Sequence, residues 1–273
     1  MRPKFKKLVS ESGISYHRCG SGPCLILIHG VGLRAESWYP YIEPLSPHFE
    51  LIIPDLPGHG DSSHLAIPYQ QATLADYSQS LSAFIAQITQ QPFYLCGHSL
   101  GSLIAIELAA ELSVKVLGMA ALNPILDRKD AAQQAVQLRA KILRDSDSIV
   151  GVSHTLERWF GETPEADQKA NASLCEHWLT NCDLDGYAMA YKAFADQQGP
   201  AKQTLNSITC PSRYMTGRLD QNSSPEMTVQ LAELTGKSKA VVIDFSGHMM
   251  PLTHADDVIR ELLELKSLNT QQA

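Results

Sequence analysis

The 273-residue sequence predicts an α/β fold, with a mostly parallel β-sheet, helices on both faces and a helical block inserted between two strands. Three observations carry that reading. Short apolar runs at 25–28, 51–53, 93–96 and 116–122 each end in or just before Gly, Pro or Asn. Helix-like segments separate most of them. The strand-like runs then stop between 126 and 198, and resume at 212–216 and 239–245.

Each element follows from its residues. Residues 4–9 and 14–18 flank SESG and read as an antiparallel hairpin at one edge. The next four runs are too short for buried helices and apolar on both faces, which suits parallel strands covered from above and below. In the insert, AAQQAVQLRAKILRD has helical periodicity. SIVGVSHTLERWF, PEADQKANASLCEHWL and DLDGYAMAYKAFADQQ read as three more helices, with Asp or Ser at plausible N-caps. A single crossover seldom needs more than one helix, so 126–198 is expected to form a helical cap over one end of the sheet. Residues 1–125 and 199–273 then form the core. Residues 269–273 read as a frayed tail.

Composition narrows the functional classes. Apolar residues make up 44% of the chain and charged residues 19%, enough for a sizeable core and incompatible with disorder. The net charge is −7, so the chain offers a polyanion no counterion release, and nucleic acid is not an expected partner. No apolar stretch approaches the roughly 20 residues that span a bilayer. The basic opening MRPKFKKLVSESG runs into Ser, Glu and Gly, so no secretory signal is expected. The six cysteines form no CxxC pair and read as reduced packing thiols in a cytoplasmic protein.

The strongest chemical signal is FYLCGHSLGSLIAIELA. A strand meets Gly97-His98-Ser99-Leu100-Gly101 and then a helix, which places G-x-S-x-G in a strand–turn–helix context. So sharp a turn forces a strained backbone on Ser99 and requires Gly97 and Gly101 to let the chain pass. It lifts the hydroxyl into the open at the positive end of the following helix.

A serine hydroxyl needs a base near neutral pH. His248 follows the late strand KAVVIDF in the loop SGHMMP, at the carboxyl edge of the sheet that also carries Ser99. His98 is expected to point away from the elbow. The base needs a carboxylate to hold its tautomer. Asp220, in RLDQNSSPE after the strand SRYMTG, is favoured, and Asp127, after the strand ending at Leu122, is its rival. The developing oxyanion needs two donors. These are the backbone N–H of Leu100 and, from the loop HGVGL, that of Val31. His29 is expected to pin this loop without moving a proton itself.

HGVGL, DLPGHGDSS, GHSLG, TGRLD and SGHMMP, in this order and spacing, resemble a capped α/β-hydrolase across nearly the whole chain. The likeness is greatest to carboxylesterases similar to pimeloyl-acyl-carrier methyl ester esterases and 3-oxoadipate enol-lactonases. It implies Ser99, Asp220 and His248 as a catalytic triad, Val31 and Leu100 as oxyanion hole, and DLPGHGDS as a loop that frames the site without catalysing.

The expected activity is hydrolysis of small to medium carboxylic esters. Thioester, lactone or carbon–carbon hydrolysis by the same groups is an alternative, and a non-catalytic binding protein an alternative of another class. The sequence carries no HExxH and no GxxxxGK[ST], and His59 and His64 lack partners at metal-ligand spacing, so neither metal nor other cofactor is expected. The expected partner is a small-molecule acyl substrate, with no membrane, and the chain a monomer or homodimer. The insert carries Trp159, Phe160, Trp178, Tyr187, Tyr191 and Phe194, each a candidate for pocket wall or for the insert's own core. Trp159 is the residue chosen for the substrate pocket.

Overall fold

The computed structural model describes residues 7–162 and 166–270. Eight strands form one sheet in the order β1-β2-β4-β3-β5-β6-β7-β8. They are β1 (Leu8–Val9), β2 (Ser15–Gly20), β3 (Cys24–Ile28), β4 (Glu50–Pro54), β5 (Phe93–His98), β6 (Val116–Leu122), β7 (Ser212–Gly217) and β8 (Ser238–Ile243). The first two pair antiparallel, and the rest run parallel. Along the early part of the chain lie α1 (Tyr39–Leu45), α2 (Leu74–Ile88) and α3 (Leu100–Glu111). Four helices intervene between β6 and β7: α4 (Asp130–Arg144), α5 (Val152–Phe160), α6 (Ala166–Thr180) and α7 (Leu184–Ala195). The short α8 (Lys202–Ser207) leads into β7, and α9 (Pro225–Leu234), α10 (Met250–Thr253) and α11 (Ala255–Thr270) complete the chain.

β3 and the interiors of β4, β5 and β6 are apolar because both faces of the sheet are covered there. Ile26, Ile28, Ile52, Phe93 and Leu95 join one core with α2 and α3. Their neighbours Leu25, Leu27, Leu51, Ile53, Tyr94 and Cys96 point the other way, into a second core with α1 and α11. Alternation is intact, but each alternate side chain meets a helix, so no polar stripe survives. At roughly 1.5–3 kcal/mol per buried aliphatic side chain, these two layers outweigh any single local preference.

Three sequence readings shift at their ends. The hairpin pairs Leu8 with Tyr16 and Val9 with Ser15, while residues 4–6 lie outside the described residues. The last strand stops at Ile243, two residues short of the expected end, because Phe245 turns to φ 59 and stands exposed. Asn269 is no frayed end. It lies in the last turn of α11, and its amide donates to the Leu117 carbonyl at 2.9 Å and to the Tyr94 hydroxyl at 3.2 Å, while residues 271–273 lie outside the described residues.

All six cysteines are free thiols. Burial pushes Cys24 up to about 12 and raises Cys96 and Cys175 further, so packing makes these thiols inert as nucleophiles. Among the described residues no helix is long and apolar enough to cross a membrane.

Candidate active site

The parallel strands deliver their C-terminal loops to one edge of the sheet. Ser99 follows β5, Asn123 follows β6, Asp220 follows β7 and His248 follows β8. At the elbow Ser99 takes φ 53 and ψ −117, a conformation that L residues avoid. A methyl group at Gly97 would overlap the Gly101 carbonyl, and one at Gly101 would stand 2.5 Å from the His29 carbonyl. Those two glycines therefore set how close α3 comes to β3 and β5. The turn is tied down by Ser99 N–H donating to Leu122 O at 2.9 Å, and by Ser102 N–H donating to Ser99 O at 2.9 Å.

The three predicted polar residues meet here. His248 Nδ1 lies 2.9 Å from Asp220 Oδ2, and His248 Nε2 lies 3.3 Å from Ser99 Oγ. The carboxylate can only accept, so Nδ1 carries the proton and Nε2 faces the hydroxyl as acceptor. Asp220 also accepts from Asn222 N–H at Oδ1 (2.8 Å) and from Asn123 Nδ2 at Oδ2 (2.8 Å). Burial alone would raise this carboxyl, but attraction to the adjacent His248 ring and these hydrogen bonds hold it below its ordinary range. The rival Asp127 is exposed.

Val31 and Ser99 line the same cavity. Leu100 is the first residue of α3, so its N–H precedes the helical ladder and remains available. Two imidazoles shape the loop that carries Val31. His29 donates from Nδ1 to Gly30 O at 2.7 Å and accepts at Nε2 from Leu56 N–H at 2.9 Å. His59 donates from Nδ1 to Pro57 O at 3.2 Å and accepts from Gly32 N–H at 3.1 Å. His98 turns away from the elbow, and its Nε2 donates to the His248 carbonyl at 2.9 Å.

These rings are neutral in the folded protein, and that has a consequence in acid. Burial drives His29 well below its ordinary value, lowers His59, and pushes His98 down to about 3. The unfolded chain binds those protons near pH 6.5, so below that pH it holds more protons than the native state and stability falls. Each ring costs about 1.4 kcal/mol per pH unit at full slope, until its folded value is reached. Asp220 adds a loss of the same sign below the ordinary carboxylate range. Urea midpoints are expected to drop steeply between pH 6.5 and 4.5. Equal midpoints at pH 7 and pH 5 would contradict the buried neutral rings.

The six aromatic residues of the inserted helices divide. Trp159, Tyr187, Tyr191 and Phe194 line the cavity above Ser99, whose volume is about 40 Å³. Trp159 lies 6.2 Å from the His248 ring. Phe160 and Trp178 instead pack with Leu33, Cys175, Met249 and Leu252. Asn123, His59 and Arg158 were not singled out by the sequence for the places they hold here. Among the described residues no three His, Cys, Asp or Glu side chains cluster as a metal site would.

Residues 25–261 match the family described as the alpha/beta hydrolase family. The chain belongs to that family. This hydrolase is 36% identical over 258 residues to the (E)-2-((N-methylformamido)methylene)succinate hydrolase of Acinetobacter baylyi, covering 94% of this chain and 95% of that one. It is 29% identical over 251 residues to a pimeloyl-[acyl-carrier protein] methyl ester esterase of Xanthomonas oryzae, covering 89% and 94%. In structure it is similar to the enol-lactonase of Burkholderia xenovorans, with TM-score 0.83, 20% identity, and 93% and 96% of the two chains covered. That last likeness is one of fold.

Proposed function

We propose that this hydrolase cleaves small to medium carboxylic esters through an acyl-enzyme on Ser99. The observation that carries the reading is the line of contacts from Asp220 through His248 to Ser99, ending in a cavity lined by Val31. As the Ser99 oxygen attacks the substrate carbonyl, its proton passes to His248 Nε2. Asp220 stabilises the imidazolium and keeps the ring in place. The N–H groups of Leu100 and Val31 receive the oxyanion. His248 then returns the proton to the leaving oxygen as the bond to it breaks. A water deprotonated by the same ring attacks the acyl group and releases acid and free Ser99.

Residues 126–198 act in this reading as a cap that keeps bulk water from the acyl-enzyme. Buried free thiols suit a reducing cytoplasm. The relative named for a formamido-methylene succinate favours a second reading, cleavage of an acyl–nitrogen bond by the same steps. Thioesters, lactones and carbon–carbon bonds develop the same oxyanion. A pure binding protein would have no use for the aligned hydroxyl, imidazole and carboxylate.

The small aromatic cavity limits the acyl group. Across p-nitrophenyl esters of increasing chain length, kcat/KM is expected to peak at short to medium acyl groups, with no jump above the micelle concentration. Trp159→Ala is expected to raise KM several-fold or broaden the chain-length preference, while leaving Ser99 chemistry in place. A long-chain optimum with activation at micelles would instead describe a lipase.

A further inference from the structure

The walls of the cavity above Ser99 are aromatic, aliphatic or neutral polar, with one exception. Arg158, next to Trp159 near the C-terminal end of α5, is the one arginine, lysine or carboxylate residue among the described residues that line it. Asp220 reaches the cavity through His248 and is already satisfied by three donors. Arg158 Nε is buried without a hydrogen-bond partner. Among the described residues no carboxylate pairs with the guanidinium. The adjacent Glu157 faces His154 instead, at 3.6 Å on the exposed side of the helix.

Two other arginines of the same helical block are differently placed. Arg139 bonds Thr155 Oγ1 at 2.9 Å and lies over the Tyr191 ring, and although its Nε is also unpartnered it does not line the cavity. Arg128 bonds Gln133 Oε1 at 2.9 Å and lies over Phe194. Arg158 also lines a second, larger groove of about 520 Å³ bounded by Phe160, Leu219, Phe245 and Thr253. Arg158 and Trp159 thus stand where the groove meets the cavity over Ser99.

A half-buried cation that no described carboxylate neutralises, in an aromatic wall beside a nucleophile, selects an anion. A planar carboxylate matches the fork of a guanidinium, whereas a phosphate dianion would call for a second cation that the lining lacks. We propose that Arg158 anchors a substrate carboxylate, so that the preferred substrates are monoesters or monoamides of small dicarboxylic acids. Their free carboxylate sits a few atoms from the carbonyl that Ser99 attacks. The proposal rests on the hydrolase reading of Ser99, His248 and Asp220.

The test compares monomethyl succinate with methyl 4-oxopentanoate, which has nearly the same shape and no charge, by acid release from the purified full-length protein. The wild type is expected to favour the acid by more than about tenfold in kcat/KM. Arg158→Gln is expected to shrink that ratio at least about tenfold, mainly through KM of the acid, and Arg158→Lys to retain part of it. A structural role for Arg158 would move both esters together and leave the ratio alone. Hydrolysis of both esters with no preference, or a preference that Arg158→Gln leaves intact, overturns the anchor while the hydrolase reading stands. If neither ester reacts, thermal stabilisation by succinate decides separately. A shift in the wild type that Arg158→Gln abolishes supports the anchor, and no shift in the wild type overturns it.

Discussion

Ser99→Ala is expected to lower kcat by on the order of a millionfold while the fold persists. The substitution removes one oxygen from a half-buried elbow whose backbone is held by Leu122 O and by Ser102 N–H, neither of which needs the hydroxyl. What it removes is the atom that lies 3.3 Å from His248 Nε2 at the cavity wall. The measurement is single-turnover and steady-state hydrolysis of an activated ester, with circular dichroism and thermal melting to show that the fold is kept. A purified variant retaining more than about one per cent of activity would remove Ser99 from the role of nucleophile.

Asp220→Asn is expected to cost on the order of ten-thousandfold in kcat. The amide nitrogen would donate to His248 Nδ1, drive the proton to Nε2 and leave no lone pair facing Ser99. It would also meet the Asn123 amide, donor against donor, where Oδ2 now accepts at 2.8 Å. Asp127→Asn is an exposed change and is expected to alter activity by no more than about twofold. If the two effects came out reversed, the carboxylate partner would belong to the end of β6.

Much of this was legible beforehand, for identifiable reasons. Strands buried on both faces must be apolar at every position, so β3, β5 and β6 stood out as uninterrupted runs. The elbow is legible because few residues tolerate its backbone. His248 was legible from its place in the loop after the last strand. Other residues gave no such mark. Asn123 follows a strand, where asparagine ordinarily signals only a turn, and nothing local announces that its amide reaches Asp220, 97 residues away. Arg158 sits on an amphipathic helix, where an arginine usually meets solvent. His59 looked like a loop residue beside His64, yet its ring holds Gly32 N–H. Periodicity could not divide the six aromatic residues, because a cavity wall and a helical core demand the same side chains.

The φ of 53 at Ser99 bears on how the sequence can drift. A non-glycine residue held there costs of order 1–3 kcal/mol, a sizeable part of the margin by which a domain of this size stays folded. Glycine at that position would relieve the strain and remove the proposed nucleophile in one step. On the proposed mechanism, mutation that favours stability alone therefore runs toward an inactive protein, and selection on turnover holds serine in place. The elbow is a standing debt carried by the two packed cores, and a lineage relieved of its substrate would be expected to lose it early.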